Sequence, residues 1–323
     1  MLRNFSGKDC HLPPTRLASS QPVETETPKP APSKSAVFLR RGFSTLLLWG
    51  VVAAIFASMV PAAYLGLICI LVLISTLEYF RMLRADDVKC FPRFGMLMAV
   101  AYCGIGYYHL LQGGKDIPPA LDACAIFIAV TGAFTLQLRY SIKGIEALLA
   151  VAANLLGFLY IAFLFSFAAR ISFGLPGDGA VPGAFVLLWL IAVTKFTDMG
   201  AYMTGSLIGK HKMIPHISPG KTWEGFGGAI VFAQLAACGL YAILPERLSA
   251  LHSWPHVIAL GFLLAILAVI GDLAESVVKR SLHAKDSGNM LPGIGGGLDL
   301  IDSICFTAPA LWFYIAWVIP NLA

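Results

Sequence analysis

Two stretches beyond residue 194 hold most of the side chains able to do chemistry. The first runs Lys195-Phe-Thr-Asp198-Met-Gly-Ala-Tyr202, then Gly205, Gly209-Lys-His-Lys212 and Ser218-Pro-Gly-Lys221-Thr222-Trp-Glu224-Gly225. Asp198 and Tyr202 are four apart and share a helix face. Lys195 and Asp198 stand at i,i+3, the spacing of a local ion pair that lets both survive in an apolar span, so the pairing alone does not separate a structural role from a functional one. Ser218, Lys221 and Thr222 offer donors suited to phosphate oxygens, and Glu224 is able to order them or help hold a metal. Gly220-Lys221-Thr222 has the ending of a phosphate-binding P-loop, but Pro215 stands where that motif requires glycine. His211 and His216 lack further His or Cys partners and do not make a zinc site.

The second stretch is Gly271-Asp272-Leu-Ala-Glu275-Ser276-Val-Val-Lys279-Arg280, followed by Lys285-Asp286, Gly288, Leu291-Pro-Gly293, Gly295-Gly-Gly297, Asp299 and Asp302-Ser303. Asp272, Glu275, Ser276 and Lys279 fall at i, i+3, i+4 and i+7 and line one helix face. Asp299 and Asp302, three apart, share a face at the start of the next helix. Hard carboxylate oxygens suit Mg²⁺, which is bound by one or two carboxylates together with substrate phosphates. Lys and Arg neutralise charge on phosphoryl oxygens, and glycines let backbone amides approach a phosphate.

The elements that carry these stretches follow from composition. Of 323 residues, 58% are hydrophobic and 13% charged, and mean hydropathy is +0.76. An ordinary soluble domain is about 25% charged. A water-soluble globular protein is thereby excluded. The net charge of +5 lies in loops and a tail, not on one basic face, so no nucleic-acid partner is expected. Seven cysteines, five of them inside apolar runs, read as packing residues. Residues 1–37, with six prolines and little apolar clustering, read as a disordered tail followed by an uncleaved anchor.

Nine apolar segments follow, at 43–60, 61–80, 94–112, 120–139, 147–169, 183–204, 225–245, 255–275 and 304–322. About 20 helical residues cross a hydrocarbon core of about 30 Å. The expected fold is all-α, a polytopic membrane protein with about nine transmembrane helices and a cytoplasmic N-terminus. Its organisation is a tail at 1–37, N-terminal membrane helices at 38–182, and a catalytic membrane region at 183–323 with two cytoplasmic motif loops. Alternating the loops from a cytoplasmic N-terminus puts 19 of the 23 Lys and Arg residues inside and three, Lys115, Arg170 and Arg247, outside, with Lys195 in a span. That asymmetry obeys the positive-inside rule and turns both motif loops toward the cytoplasm.

At these residues the chain resembles the phosphatidate cytidylyltransferase (CDP-diacylglycerol synthase) family. The family pattern runs Ser-x-x-Lys-Arg, four residues, Lys-Asp-x-Gly-x-x-Leu-Pro, then Gly-His-Gly-Gly, and closes with Asp-Arg-x-Asp. This sequence supplies Ser276, Lys279, Arg280, Lys285, Asp286, Gly288, Leu291, Pro292, Gly293, Gly295, Gly296, Asp299 and Asp302. The block from Asp198 to Tyr202, Gly205, and Ser218 to Gly225 is similar to the family's other hallmark. The family's His is Ile294 here, the apolar position after the glycines is Gly297, and the Arg between the acids is Leu300, so no role of that His or Arg carries over. The resemblance implies that CTP and phosphatidic acid give CDP-diacylglycerol and pyrophosphate in phospholipid biosynthesis at the inner membrane. It implies Asp272, Asp299 and Asp302 as ligands of Mg²⁺, with one or two cations bound. Lys279, Arg280 and Lys285 would hold phosphates and the departing pyrophosphate. Asp198, Ser218, Lys221, Thr222 and Glu224 would form the nucleotide side. Partners are then CTP, phosphatidic acid and membrane lipids, and a homodimer is compatible with the sequence.

Two other readings fit parts of the pattern. A related CTP-using lipid enzyme, such as a polyprenol kinase or a transferase with another acceptor, differs in product, since a kinase releases CDP. A transporter would use Lys195, Asp198 and Asp272 as a coupling-ion pathway, but such sites lie near the midplane between inverted repeats. No internal repeat is visible, and these acids lie toward one mouth.

Overall fold

Proline opens three of the helices, where its missing N–H is no loss and its fixed φ suits the first turn: α1 (Pro61–Ala85), α2 (Pro92–Leu111) and α3 (Pro119–Gln137). The computed structural model describes residues 50–177, 179–288 and 295–319. The tail expected at 1–37, the start of the first expected span, and Leu291, Pro292, Gly293 and Ile294 of the second motif lie outside the described residues. Residues 50–58 are helical, Met59 takes a left-handed φ of 50°, and α1 follows at once, which makes the tight reversal expected at Val60-Pro61.

The chain continues through α4 (Glu146–Gly174), α5 (Ala184–Ile208), α6 (Trp223–Ile243), α7 (Trp254–Ser281) and α8 (Leu298–Val318). Together with α1 to α3, these make eight helices among the described residues that are long and apolar enough to cross a membrane. Large apolar side chains such as Leu97, Ile105, Phe127 and Leu235 remain exposed around the bundle, a surface suited to hydrocarbon and not to water. An all-helical reading has no place for one element. A short antiparallel hairpin, β1 (Lys212–Ile214) with β2 (Ser218–Thr222), joins α5 to α6. Glycine and proline in 209–220 disfavour a continuous helix there.

Helix ends depart from the apolar runs because several helices continue into their charged residues. α7 runs on to Ser281, beyond the expected 275, and α8 begins at Leu298, ahead of the expected 304. α8 is broken by a turn at Asp302 and Ser303, where Ser303 Oγ donates to the Ala268 carbonyl of α7 at 3.1 Å. Asp302 and Ser303 nonetheless keep helical dihedrals, so Asp299 and Asp302 stay one turn apart, as their spacing predicts.

The pair α5 and α6 is joined most closely, through small residues. A Cβ on Gly228 would strike Thr204, and one on Gly200 would strike Phe232 and the Gly228 carbonyl. Such contacts let backbones approach where burial against lipid supplies little drive. Trp189, buried on α5, donates its indole N–H to the Ala237 carbonyl of α6 at 3.0 Å.

Ion pairs mark the two ends of the bundle. At the motif end, His283 Nδ1 meets Asp86 at 2.9 Å and Lys89 meets Glu146 at 3.2 Å, which brings the loops after α1 and before α4 to that end. At the other end is Arg170, expected in an external loop. It lies inside α4 and is only 3% exposed. Its guanidinium donates to Asp116 and Asp122, each at 2.7 Å, and Tyr102 donates to Asp122 at 2.8 Å. A buried guanidinium persists only because carboxylates surround it. Asp122→Ala leaves it underpaired, and the expected loss is about 3 kcal/mol, read as a lowered unfolding temperature of the detergent-solubilised protein, with Asp122→Asn intermediate.

Candidate active site

Five elements converge at the motif end around a cavity of about 660 Å³, α6 giving Gly225 and Phe226 to its wall. α5 contributes Asp198 and Tyr202, the hairpin contributes Lys212, Ser218 and Lys221, α7 contributes Asp272, Glu275 and Lys279, and α8 contributes Asp299 and Asp302. Local chemistry places the hairpin. Thr222 ends β2 and caps α6, its Oγ1 accepting the Gly225 N–H at 3.1 Å. Glu224, in the first turn of α6, reaches back over the hairpin. Its carboxylate accepts the N–H groups of Lys210 and His211 at 3.1 and 3.2 Å and pairs with His211 Nδ1 at 2.6 Å. Glu224 thus fixes the loop and does not line the cavity.

The centre of the cavity is acidic. One oxygen from each of Asp272, Glu275 and Asp302 lies within 4.8 Å of the others. Glu275 is 1% exposed and Asp302 5% exposed. Carboxylates so close and so buried repel one another and need positive charge nearby. Lysines supply part of it. Lys221 Nζ stands 2.5 Å from Asp272, and Lys279 Nζ stands 2.7 Å from Glu275 and 2.8 Å from Asp299. Lys279 leaves the second Glu275 oxygen untouched, and Oε1 is buried without a hydrogen-bond partner. Three carboxylates this close, one of them with an oxygen that no donor reaches, fit a divalent cation bound by hard oxygens.

Asp299 adjoins this triad through Glu275, whose side chain lies within hydrogen-bond reach of it. Its Oδ1 takes Lys279, while Oδ2 accepts Ser287 Oγ at 2.8 Å and the Gly296 N–H at 2.7 Å. Gly295 holds φ at +121°, a conformation open to glycine, so the chain turns and aims that amide at Asp299. Asp299 therefore shapes the glycine turn and anchors Lys279.

Among the site residues read from the sequence, Asp198, Ser218, Lys221, Thr222, Asp272, Lys279, Asp299 and Asp302 line one cavity. Arg280 and Lys285 do not. Both are exposed, and Arg280 donates to the Ala284 carbonyl at 3.2 Å, closing the end of α7. Three participants carry no assignment from sequence alone. Glu275 was visible on the Asp272 face but lacked a partner until α8 was in place. Lys212 reaches the cavity only because the 212–222 segment folds back as a hairpin. Glu78, on α1 and 1% exposed, accepts the Leu298 N–H at 3.1 Å and crowds Gly288 and Gly296. Its distance in the chain from both motifs leaves no local signal.

Comparison with known proteins places this architecture. The uncharacterized protein YnbB of Escherichia coli K12 is 33% identical over 229 residues, covering 70% of this chain and 72% of that protein. A protein named phosphatidate cytidylyltransferase from Mycobacterium bovis is 37% identical over 166 residues, covering 51% of this chain and 50% of its own length. One of the same name from Synechocystis is 29% identical over 280 residues, covering 79% of this chain and 89% of its own. The aligned region thus spans about half of the mycobacterial relative and most of the cyanobacterial one. The profile of the cytidylyltransferase family matches residues 39–318, which takes in every described helix and the whole cavity. This chain belongs to the cytidylyltransferase family.

Proposed function

We propose that the chain transfers the cytidylyl group of CTP to phosphatidate, giving CDP-diacylglycerol and pyrophosphate. The observation that carries this reading is the meeting of the Asp272, Glu275 and Asp302 oxygens with the Lys221 ammonium in one cavity. The names of the mycobacterial and cyanobacterial relatives support the same acceptor and product.

In this reaction a phosphate oxygen of phosphatidate attacks the α-phosphorus of CTP. A P–O bond forms there, the bond to the bridging oxygen of the β-phosphate breaks, and pyrophosphate leaves with the electron pair. The nucleophile is already anionic at neutral pH, so the protein's tasks are to bring two anions together and to screen their repulsion. Lys221 and Lys212 supply ammonium donors on the hairpin side, and the Ser218 hydroxyl adds a neutral one. Lys279 keeps Glu275 and Asp299 in register, so that the carboxylates face the reacting groups preorganised. Asp272, Glu275 and Asp302 are the residues to hold Mg²⁺, whose chemistry when bound is to neutralise charge on the phosphoryl oxygens. Asp198 borders the nucleotide side, and helices within 38–182 supply packing around the catalytic region at 183–323.

The site is assigned to the cytoplasmic face of the inner membrane. Supporting this, the basic segments 81–93 and 139–146 lie at the same end as the cavity, tied there through Asp86, Lys89 and Glu146. CTP then reaches the cavity from water, while phosphatidate keeps its acyl chains in hydrocarbon.

Asp302→Asn and Asp272→Asn, purified and folded, are expected to lose about 10²-fold or more of turnover. Chelation of divalent cations should stop the wild type, and added Mg²⁺ should restore it. Wild-type turnover in Asp302→Asn would overturn the metal assignment. Lys221→Met is expected to raise the KM for CTP by about tenfold. Pyrophosphate, not CDP, must appear in step with the CDP-lipid; release of CDP would identify a kinase.

A further inference from the structure

A second cavity, of about 220 Å³, lies between the 50–58 segment, α1, α4, α5 and α8. Its walls are apolar, including Phe56, Leu71, Phe165, Leu187 and Ile191. Tyr64 also lines it, but its hydroxyl is spent on the Phe56 carbonyl at 3.0 Å. Among the described residues the one charged group in the lining is Lys195. A cation at membrane depth calls for a partner. Lys195 has three donors, two long contacts, 3.6 Å to Asp198 and 3.4 Å to the Leu300 carbonyl, and the Asp302 carboxylate near enough to feel its charge. Both distances exceed the 2.7–2.9 Å of a good charge-assisted hydrogen bond.

The two cavities meet along a seam. On α5, Lys195 lines the apolar cavity and Asp198, one turn on, lines the acidic one. On α8, Leu300 and Ile301 line the apolar cavity and Asp302 lines the acidic one. Both helices change from apolar to polar at the same place, with an ammonium at the boundary. Leu300 stands where the motif it resembles has Arg. Here that side chain extends the apolar wall, and the cation beside its backbone comes from α5 instead.

We infer that the apolar cavity receives one acyl chain of the lipid acceptor, with Lys195 at its mouth holding that lipid's phosphate toward the carboxylates. The inference rests on the reaction proposed above. A wholly polar ligand would gain nothing from the apolar walls, and a wholly apolar one nothing from Lys195. An anionic headgroup joined to a hydrocarbon chain uses both.

The test uses the full-length enzyme in detergent micelles with CTP, Mg²⁺ and phosphatidates carrying two six-carbon or two sixteen-carbon chains. Ile191→Trp fills the cavity. It is expected to keep kcat/KM on the short lipid within about twofold, and to lose about tenfold or more on the long one, because several methylenes lose their place. Lys195→Met is expected to raise the KM for both phosphatidates by about tenfold and leave the KM for CTP unchanged. Equal effects of Ile191→Trp on both lipids, or a Lys195→Met effect on CTP alone, would overturn the inference. A second measurement does not depend on turnover. Wild-type protein is photolabelled with a phosphatidate bearing a diazirine at the chain end. Label should concentrate on 64–71 and 187–191 and be displaced by unlabelled phosphatidate but not by diacylglycerol. Label spread evenly over lipid-facing helices would count against the chamber. Displaceable labelling without CDP-lipid formation would overturn the reaction and leave the chamber standing. CDP-diacylglycerol formation with chain-independent variants would overturn the chamber alone.

Discussion

Gathering negative charge at the edge of a membrane is the constraint that the rest of this structure answers to. Three carboxylates in a low-dielectric setting repel one another and lose hydration, and neither effect is offset by apolar packing. The protein responds with lysines placed so that each neutralises more than its own neighbour. Lys279 serves Glu275 and Asp299 together, and Lys221 reaches across from the hairpin to Asp272. The hairpin is thereby part of the charge balance as well as a wall of the cavity, and its hold on α6 through Thr222 and Glu224 keeps it in position.

The same constraint explains the helix packing. α5 and α6 come close at Gly200 and Gly228, which sets the hairpin between them directly over the end of α7. At the start of α8, Asp302 joins the triad and Asp299 pairs with Lys279. At the far end of the bundle, Arg170 shows the opposite arrangement, one buried cation between two acids.

Much of this was legible in the residues. The long apolar runs located eight crossing helices, because hydrocarbon thickness sets a length that composition reveals. The two motif stretches located the cavity, because phosphate chemistry demands a narrow choice of side chains. What stayed hidden depends on contacts between distant elements. Periodicity put Glu275 beside Asp272, but only the fold shows its second oxygen without a partner. Arg280 and Lys285 look like phosphate ligands by type and spacing; both are exposed, outside the lining of the cavity, and Arg280 donates to the Ala284 carbonyl. Charge counting placed Arg170 in a loop, since sequence carries no sign that Asp116 and Asp122 would meet it inside a helix.

Glu78 carries a last consequence. From α1 it accepts the amide of Leu298, the first residue of α8, and it abuts Gly288 and Gly296. A fragment starting at α5 would contain both signature stretches and still lack the acceptor that seats the start of α8. The active centre is thus assembled from opposite ends of the chain, and separating the gene into two independently folding halves would leave neither half with a complete one.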